Sequence, residues 1–361
     1  MEQGLLPLRP RGPAHRCRGG SAGGGPPPRE ADAPDHADPD RPGETARHRG
    51  HRPPAVRPCR RGRRSHGALL GARGDRRAGL VRAKIWGCRG SLAAPGPETV
   101  RYGGNTSCVE VRPSDDRLLV IDAGTGIRNL GVGLGRDYPA RIDILLTHLH
   151  LDHIEGLGFF TPIWDPNCEV HLWGPASPGH SLRDRVATYF SPPLFPVHID
   201  EIPAHMVFHD VPENEWELGP ARIRGELVKH PGPTLGYRVE DGGRVLTYIS
   251  DHEPALGIDL ETVPPDWISG YAIAERADVL LHDAQYTEEE YPHRVGWGHS
   301  SIAHTVTFGL IAKVQRLLMF HHDPLHSDAQ LEAMLVRARE LWDQDRDGLA
   351  ISFEGMEIDI S

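Results

Sequence analysis

The chain has 361 residues, with 40 Lys and Arg against 50 Asp and Glu, a formal net charge of −10. The charge is unevenly spread: residues 1–80 hold 17 Arg, no Lys and eight acids, a net of +9, so residues 81–361 carry −19. The first 80 residues contain no Phe, Trp, Tyr or Ile, and Arg, Pro and Gly fill 43 of the positions, which leaves too little apolar surface to offset chain entropy and excludes a folded domain there. About 280 residues remain, the size of one large domain. No run of 18 apolar residues exists to span a membrane, and Gly4-Leu5-Leu6-Pro7-Leu8 is too short for a signal peptide. Cys17, Cys59, Cys88, Cys108 and Cys168 are odd in number and form no C-x-x-C pair, which fits a reducing cytoplasm.

Three readings of residues 1–80 stand side by side: a basic arm for nucleic acid around Arg60-Arg61-Gly62-Arg63-Arg64, a disordered tail with no role, and a segment that is not made because translation starts at Val81. The Pro and Gly content favours the last two. The expected organisation is a disordered segment over 1–80 and a folded domain over 81–361. From Val81 the chain alternates apolar segments bounded by turn residues. Strands are predicted at Ala83–Trp86, Cys108–Val111, Leu118–Ile121, Ile142–Leu146, Glu169–Trp173, Ile223–Val228, Leu235–Val239, Val245–Ile249, Val279–His282 and Leu317–Phe320, with one or two more in Ala350–Ile360. Helices are predicted at Ser181–Tyr189, at Ser300–Lys313 with Ile302, Val306, Leu310 and Val314 at helical spacing, and at Ser327–Trp342. In the last, Ser327 and Gln330 form a capping box ahead of a stripe of Leu331, Met334, Leu335, Ala338 and Leu341. Single helices between many strands fit layered α/β packing. The aromatic, proline-rich stretch from Phe159 to Phe208 reads as a lid, a dimer surface or packed core.

The strongest chemical signal is Thr147-His148-Leu149-His150-Leu151-Asp152-His153, directly after an apolar strand. In an extended segment His148 and His150 point the same way and can meet one ion. If the chain then turns, Asp152 and His153 can face a second. Imidazole with carboxylate suits zinc, and also iron or manganese. Even in a chain with 22 His, a chance H-x-H-x-D-H is expected on the order of once in a couple of hundred such chains.

This segment resembles the H-x-H-x-D-H loop of the metallo-β-lactamase-fold hydrolases, and the order of later acids and histidines matches as well. The resemblance covers essentially all of residues 82–361 and implies an αββα sandwich. It implies two divalent ions, with His148, His150 and His230 on one, Asp152, His153 and His321 on the other, and Asp251 bridging both. His321 is preferred over its neighbour His322 because it directly follows the strand-like run, while His252, His282 and His293 are read as non-ligands. Asp122, in Ile121-Asp122-Ala123-Gly124-Thr125-Gly126, corresponds to an aspartate that orients a ligand or the nucleophile.

Three further features narrow the branch. Gly298-His299-Ser300-Ser301 resembles the corresponding segment of ribonuclease Z and related phosphodiesterases, where the histidine assists leaving-group departure. This implies His299, Asp152 and Asp122 as the catalytic set, with Ser300 and Ser301 at a helix N-terminus suited to phosphate. Trp86-Gly87-Cys88-Arg89-Gly90-Ser91 and Gly103-Gly104-Asn105-Thr106-Ser107 look like the opening of the cyclic-nucleotide and cyclic-phosphate phosphodiesterase branch, with Asn105 as a substrate contact. Asp251 stands where clinically familiar zinc β-lactamases carry a cysteine, and His150 stands where flavin-linked diiron oxidoreductases carry a glutamate, which weighs against a redox role. A net of −19 and only three Lys in residues 81–361 oppose a long polyanion. The expectation is a metal-dependent phosphodiester hydrolase that uses metal-bound hydroxide on a small cyclic or linear phosphodiester, with a homodimer as the assembly common among similar phosphodiesterases. A ribonuclease Z-like nuclease, a thioester or lactone hydrolase and a non-enzymatic metal-binding scaffold are the alternatives.

Overall fold

The computed structural model of the protein describes residues 81–343 and 348–360; the expectations for residues 1–80 lie outside the described residues. In chain order the strands are β1 (Val81–Gly87), β2 (Cys108–Arg112), β3 (Leu118–Ile121), β4 (Arg141–Leu145), β5 (Glu169–Gly174), β6 (His205–Asp210) and β7 (Trp216–Leu218). They continue as β8 (Ala221–Leu227), β9 (Leu235–Asp241), β10 (Arg244–Ile249), β11 (Val279–Asp283), β12 (Arg316–Phe320), β13 (Leu349–Ile351) and β14 (Glu357–Ile360). The helices are α1 (Gly126–Leu134), α2 (Leu151–Ile154), α3 (Leu182–Tyr189), α4 (Tyr271–Ala274), α5 (Ile302–Ile311) and α6 (Asp328–Leu341).

Two seven-stranded sheets form, in the orders β14-β1-β2-β3-β4-β5-β6 and β13-β12-β11-β10-β9-β8-β7. Side-chain alternation along each strand decides the layering. Leu119 and Ile121 of β3 point between the sheets and meet Tyr248, Leu281 and Phe320, whereas Leu118 and Val120 point outward beneath α1 and α3. In the second sheet Leu280, Leu317 and Met319 point outward under α5 and α6. Both faces of the central strands are therefore buried, which is why β3 and β11 read as continuous apolar runs rather than alternating ones. The result is the αββα sandwich that the resemblance implies. Truncating an inter-sheet side chain such as Leu281 to Ala would cost about 2–5 kcal/mol.

β3, β4, β5 and β6 run parallel to one another, as do β10, β11, β12 and β13. The loops that leave their C-terminal ends are where chemistry collects in such sheets. The register sets Ile249 opposite His282 and Asp283 opposite Phe320, so Asp251, Asp283 and His321 emerge side by side.

Most predicted strands and all three predicted helices are present within a residue or two. Ser181, Ser301 and Ser327 are the N-caps of α3, α5 and α6, and Ser327 with Gln330 makes the capping box. Five elements were not anticipated, among them α2, a single turn that carries Asp152 and His153. α1 carries Gly126, Gly131 and Gly133, which lower helix propensity, but it packs on β1. α4 is a single turn, and β6 and β7 are partly exposed strands without clean alternation. The aromatic stretch is mostly core: Phe160, Phe190 and Phe195 are buried around α3, while Phe159 and Trp164 reach solvent. No helix among the described residues is long and apolar enough to cross a membrane.

Candidate metal centre

The H-x-H-x-D-H segment leaves β4, crosses His148 and His150 in extended backbone, and turns into α2, whose first turn carries Asp152 and His153. His148, His150 and His230 offer donor atoms within 4.8 Å of one another, and so do Asp152, His153, Asp251 and His321. Asp251 lies between the groups. Its Oδ1 is 3.8 Å from His148 Nε2 and 3.9 Å from His230 Nε2, while its Oδ2 is 3.1 Å from His153 Nε2. The sequence-predicted ligands are thus brought together, and His322 is not among them: its Nε2 donates to the Ser352 carbonyl at 2.9 Å.

The remaining nitrogen is fixed from behind in four of the five imidazoles, His150 being the exception, with its Nδ1 3.3 Å from His230 Nε2. His153 Nδ1 donates to Asp122 at 2.8 Å, His321 Nδ1 to Gln285 Oε1 at 2.9 Å, His230 Nδ1 to the Gly298 carbonyl at 2.8 Å, and His148 Nδ1 to Thr147 Oγ1 at 3.0 Å. Such partners set the tautomer and aim the free nitrogen at a metal. Asp122 is completely buried and also accepts the Thr147 amide at 2.8 Å and the Tyr248 hydroxyl at 3.0 Å. It sits behind His153 and has no open side toward substrate, so it positions a ligand.

The residues fit a cation on direct observation. His148 Nε2, His153 Nε2 and Asp251 Oδ2 are buried with no hydrogen-bond partner, a costly condition unless something fills it. Backbone strain accompanies them: Asp122 and His321 hold φ of 61° and 59°, and Ser91 holds 59°. Ser91 uses that conformation to donate its amide to Asp152 Oδ2 at 2.8 Å. Beside it, a Cβ on Gly90 would stand 2.4 Å from His321 Nδ1, so only glycine fits there.

Charge divides the centre. Burial pushes the His148, His150 and His230 imidazoles below their ordinary range. Burial acts the same way on His153 and His321, but the surrounding carboxylates outweigh it: Asp152, Asp251 and Asp122 drive His153 up, and Asp251 and Asp152 drive His321 up to about 9. Burial works against the charge on Asp152 and Asp251 too, and histidines overcome it, chiefly His153 for Asp152 and His321 for Asp251, so both stay well below the usual carboxylate range.

His299 closes the open side. Its Nδ1 donates to Asp283 Oδ2 at 2.8 Å, its ring stacks on His321 at 5.0 Å, and it lines the cleft with Ser91, Leu149, His150, Leu151, Asp152 and Asp251. Asp283 was missed in the sequence. The available signal was its position at the end of β11, matching Asp251 just past β10, but the adjacent His282 drew attention and reads as a core histidine. The residues expected to contact substrate are engaged within the protein. Asn105 donates its side-chain amide to Glu354 at 2.9 Å, Ser300 Oγ is buried and donates to the His252 carbonyl at 2.7 Å, and Ser301 Oγ caps α5. The Ser301 cap takes the His304 amide in the first turn of α5, and none of the three lines the cleft.

Residues 117–322 match the beta-lactamase superfamily domain. The chain belongs to that superfamily. Among curated relatives, the ribonuclease Z of Natronomonas pharaonis is 25% identical over 258 residues, covering 60% of this chain and 81% of the relative. The ribonuclease Z of Synechocystis sp. is 25% identical over 301 residues, 70% of this chain and 89% of the relative. The superfamily fold is shared with YhfI of Bacillus subtilis (TM-score 0.57, 16% identity, 78% of this chain and 99% of that one) and with a diphosphatase of the PhnP family (0.56, 18%, 78% and 98%). It is also shared with human tRNase Z, short form (0.53, 20%, 78% and 99%). As a superfamily member with this histidine–aspartate set, the chain is a metal-dependent hydrolase that takes divalent ions.

Proposed function

We propose that the domain formed by residues 81–361 is a phosphodiesterase with a dinuclear centre, acting on a small cyclic or linear phosphodiester. His148, His150 and His230 would hold one ion and Asp152, His153 and His321 the other, with Asp251 shared; the imidazole and carboxylate donors suit Zn2+, the first choice, as well as Mn2+ or Fe2+. The ions supply charge neutralisation for the phosphate oxygens and lower the pKa of attacking water. The protein's own part is to hold the reacting groups. Asp122 and Gln285 fix His153 and His321 from behind, and the Ser91 amide holds Asp152.

The observation that carries the reading is the Asp283–His299 pair at the cleft. With Nδ1 committed to Asp283 at 2.8 Å, His299 has Nε2 left to hold a proton and pass it to the departing alkoxide. Acyl transfer to water from an activated thioester asks less of such a donor. Small size is supported by a cleft of about 410 Å3 with no Lys or Arg among its lining residues and by the −19 balance of residues 81–361. A second reading, an RNA 3′-end nuclease, is supported by the ribonuclease Z relatives. Free buried Cys88, Cys108 and Cys168 suit a reducing cytoplasm, and homodimer formation is part of the same proposal.

The test is a hydrolysis screen of the metal-loaded protein against a chromogenic phosphodiester, 2′,3′- and 3′,5′-cyclic nucleotides, a tRNA precursor, a thioester and a lactone. Turnover of small phosphodiesters is expected. Cleavage of the tRNA precursor alone would favour the nuclease, and acyl turnover without phosphodiester turnover would overturn the reading.

A further inference from the structure

Glu253 lies two residues beyond Asp251 and is only 1% exposed. A buried carboxylate needs donors, and here three groups from one loop supply them. The Tyr291 hydroxyl donates to Oε1 at 2.9 Å, the Gly296 amide to Oε1 at 2.8 Å and Oε2 at 3.0 Å, and the Gly298 amide to Oε2 at 2.8 Å. Gly296 and Gly298 hold φ of 87° and 92°, so the loop turns its amides inward as a small anion-binding concavity, and the protein's own carboxylate fills it.

The loop matters because of what its C-terminal end carries. The Gly298 carbonyl receives His230 Nδ1 at 2.8 Å, and the next residue is His299. The clamp also closes behind His230: the Glu253 amide donates to the Lys229 carbonyl at 2.9 Å. A ring therefore runs from the Glu253 backbone to Lys229, through His230 to Gly298, and back to the Glu253 carboxylate. The fit is tight, since a Cβ on Gly298 would stand 2.3 Å from His230 Nδ1.

We propose that Glu253 is the positioning residue that locks the 294–299 loop, and through it sets both the tautomer and aim of His230 and the placement of His299. The effect on His299 rests on the phosphodiesterase reading; the effect on His230 does not. Glutamine cannot replace it, because one of its two head atoms would bring N–H groups against peptide N–H groups. A displacement of about 1 Å at a group that acts on the leaving atom costs on the order of 100-fold in rate.

The experiment compares wild type, Glu253→Gln and Glu253→Asp as full-length, zinc-loaded protein in three measurements. By hydrogen exchange, the amides of Gly296 and Gly298 are expected to exchange at least about tenfold faster in E253Q. In competition with a chelator, E253Q is expected to release its more weakly held zinc about tenfold more readily. In turnover, kcat for a diester with an alkoxide leaving group is expected to fall about 10- to 100-fold, clearly more than for a nitrophenolate leaving group that needs no proton, with KM little changed. E253D keeps the charge but withdraws the oxygens, and is expected to fall between the two; it replaces E253Q if the latter does not fold. Unchanged exchange and zinc retention would overturn the proposal, as would equal kcat losses for both leaving groups. If wild type turns over no phosphodiester, the phosphodiesterase reading fails, while exchange and zinc retention still decide the role of Glu253.

Discussion

His148 and His230 each face one oxygen of Asp251, at 3.8 and 3.9 Å, with His150 beside them, whereas His153 and His321 face both Asp152 and Asp251, at 3.1 to 3.3 Å. The first group is a set of imidazoles that burial keeps neutral and ready to coordinate. In the second, protons on His153 and His321 balance the carboxylates until a cation replaces them. On the proposed two-ion reading, one fold would build two adjoining cation sites by opposite electrostatic means. The first is limited by how well three rings converge and the second by competition with protons.

Removing the shared group should erase the distinction. Asp251→Ala is expected to abolish binding of at least one ion and reduce kcat by about three orders of magnitude, read from metal content by mass spectrometry and from turnover. Loss in only one half with near-normal activity would break the shared-ligand account. His299→Ala removes no ligand from either half. It should lower kcat for an alkoxide leaving group on the order of 100-fold while metal content stays normal, and an unchanged rate would refute the leaving-group role.

Asp122→Asn weights the halves unequally, because Asp122 bonds His153 directly and reaches His148 only through the Thr147 hydroxyl. Metal affinity is expected to fall about 10- to 100-fold in the carboxylate-rich half and less in the other. Titrating the metal-free protein with Zn2+ at several pH values should show the same asymmetry. Affinity of the carboxylate-rich half should rise with pH until about 9, where His321 loses its proton, and the other half should be nearly flat above the ordinary imidazole range. The sign for stability without metal is opposite. The raised His321 stabilises the fold fully below its unfolded value of about 6.5, and that contribution disappears as pH rises through about 9. The smallest effect is expected at Ser301→Ala, about 1 kcal/mol in denaturant unfolding with turnover unchanged, since its hydroxyl caps α5 and faces no substrate.

The same contrast explains what the sequence made legible. The strand-bound ligands were readable because an apolar run followed by His148, His150, Asp152 and His153 is both a structural and a chemical signal, and the later ligands follow strands in the same way. The supporting carboxylates were harder. Asp283 and Glu253 act through partners 16 to 45 residues away, a relation that local pattern does not encode. For Ser300, Ser301 and Asn105 the local pattern does not separate the roles, because a hydroxyl or amide near a helix start or glycine turn can serve the protein's own groups as readily as a ligand. In the fold, strands buried on both faces stood out by hydrophobicity, whereas β6 at the sheet edge and glycine-bearing α1 depend on tertiary packing that overrides their local preferences.

The most direct measurement is turnover of a small cyclic phosphodiester by the metal-free protein during stepwise addition of Zn2+, with bound metal counted in parallel by native mass spectrometry. The two-site account predicts that activity rises until two ions are bound per chain and then levels. Full activity with a single ion bound, or no phosphodiester turnover at two, would contradict it.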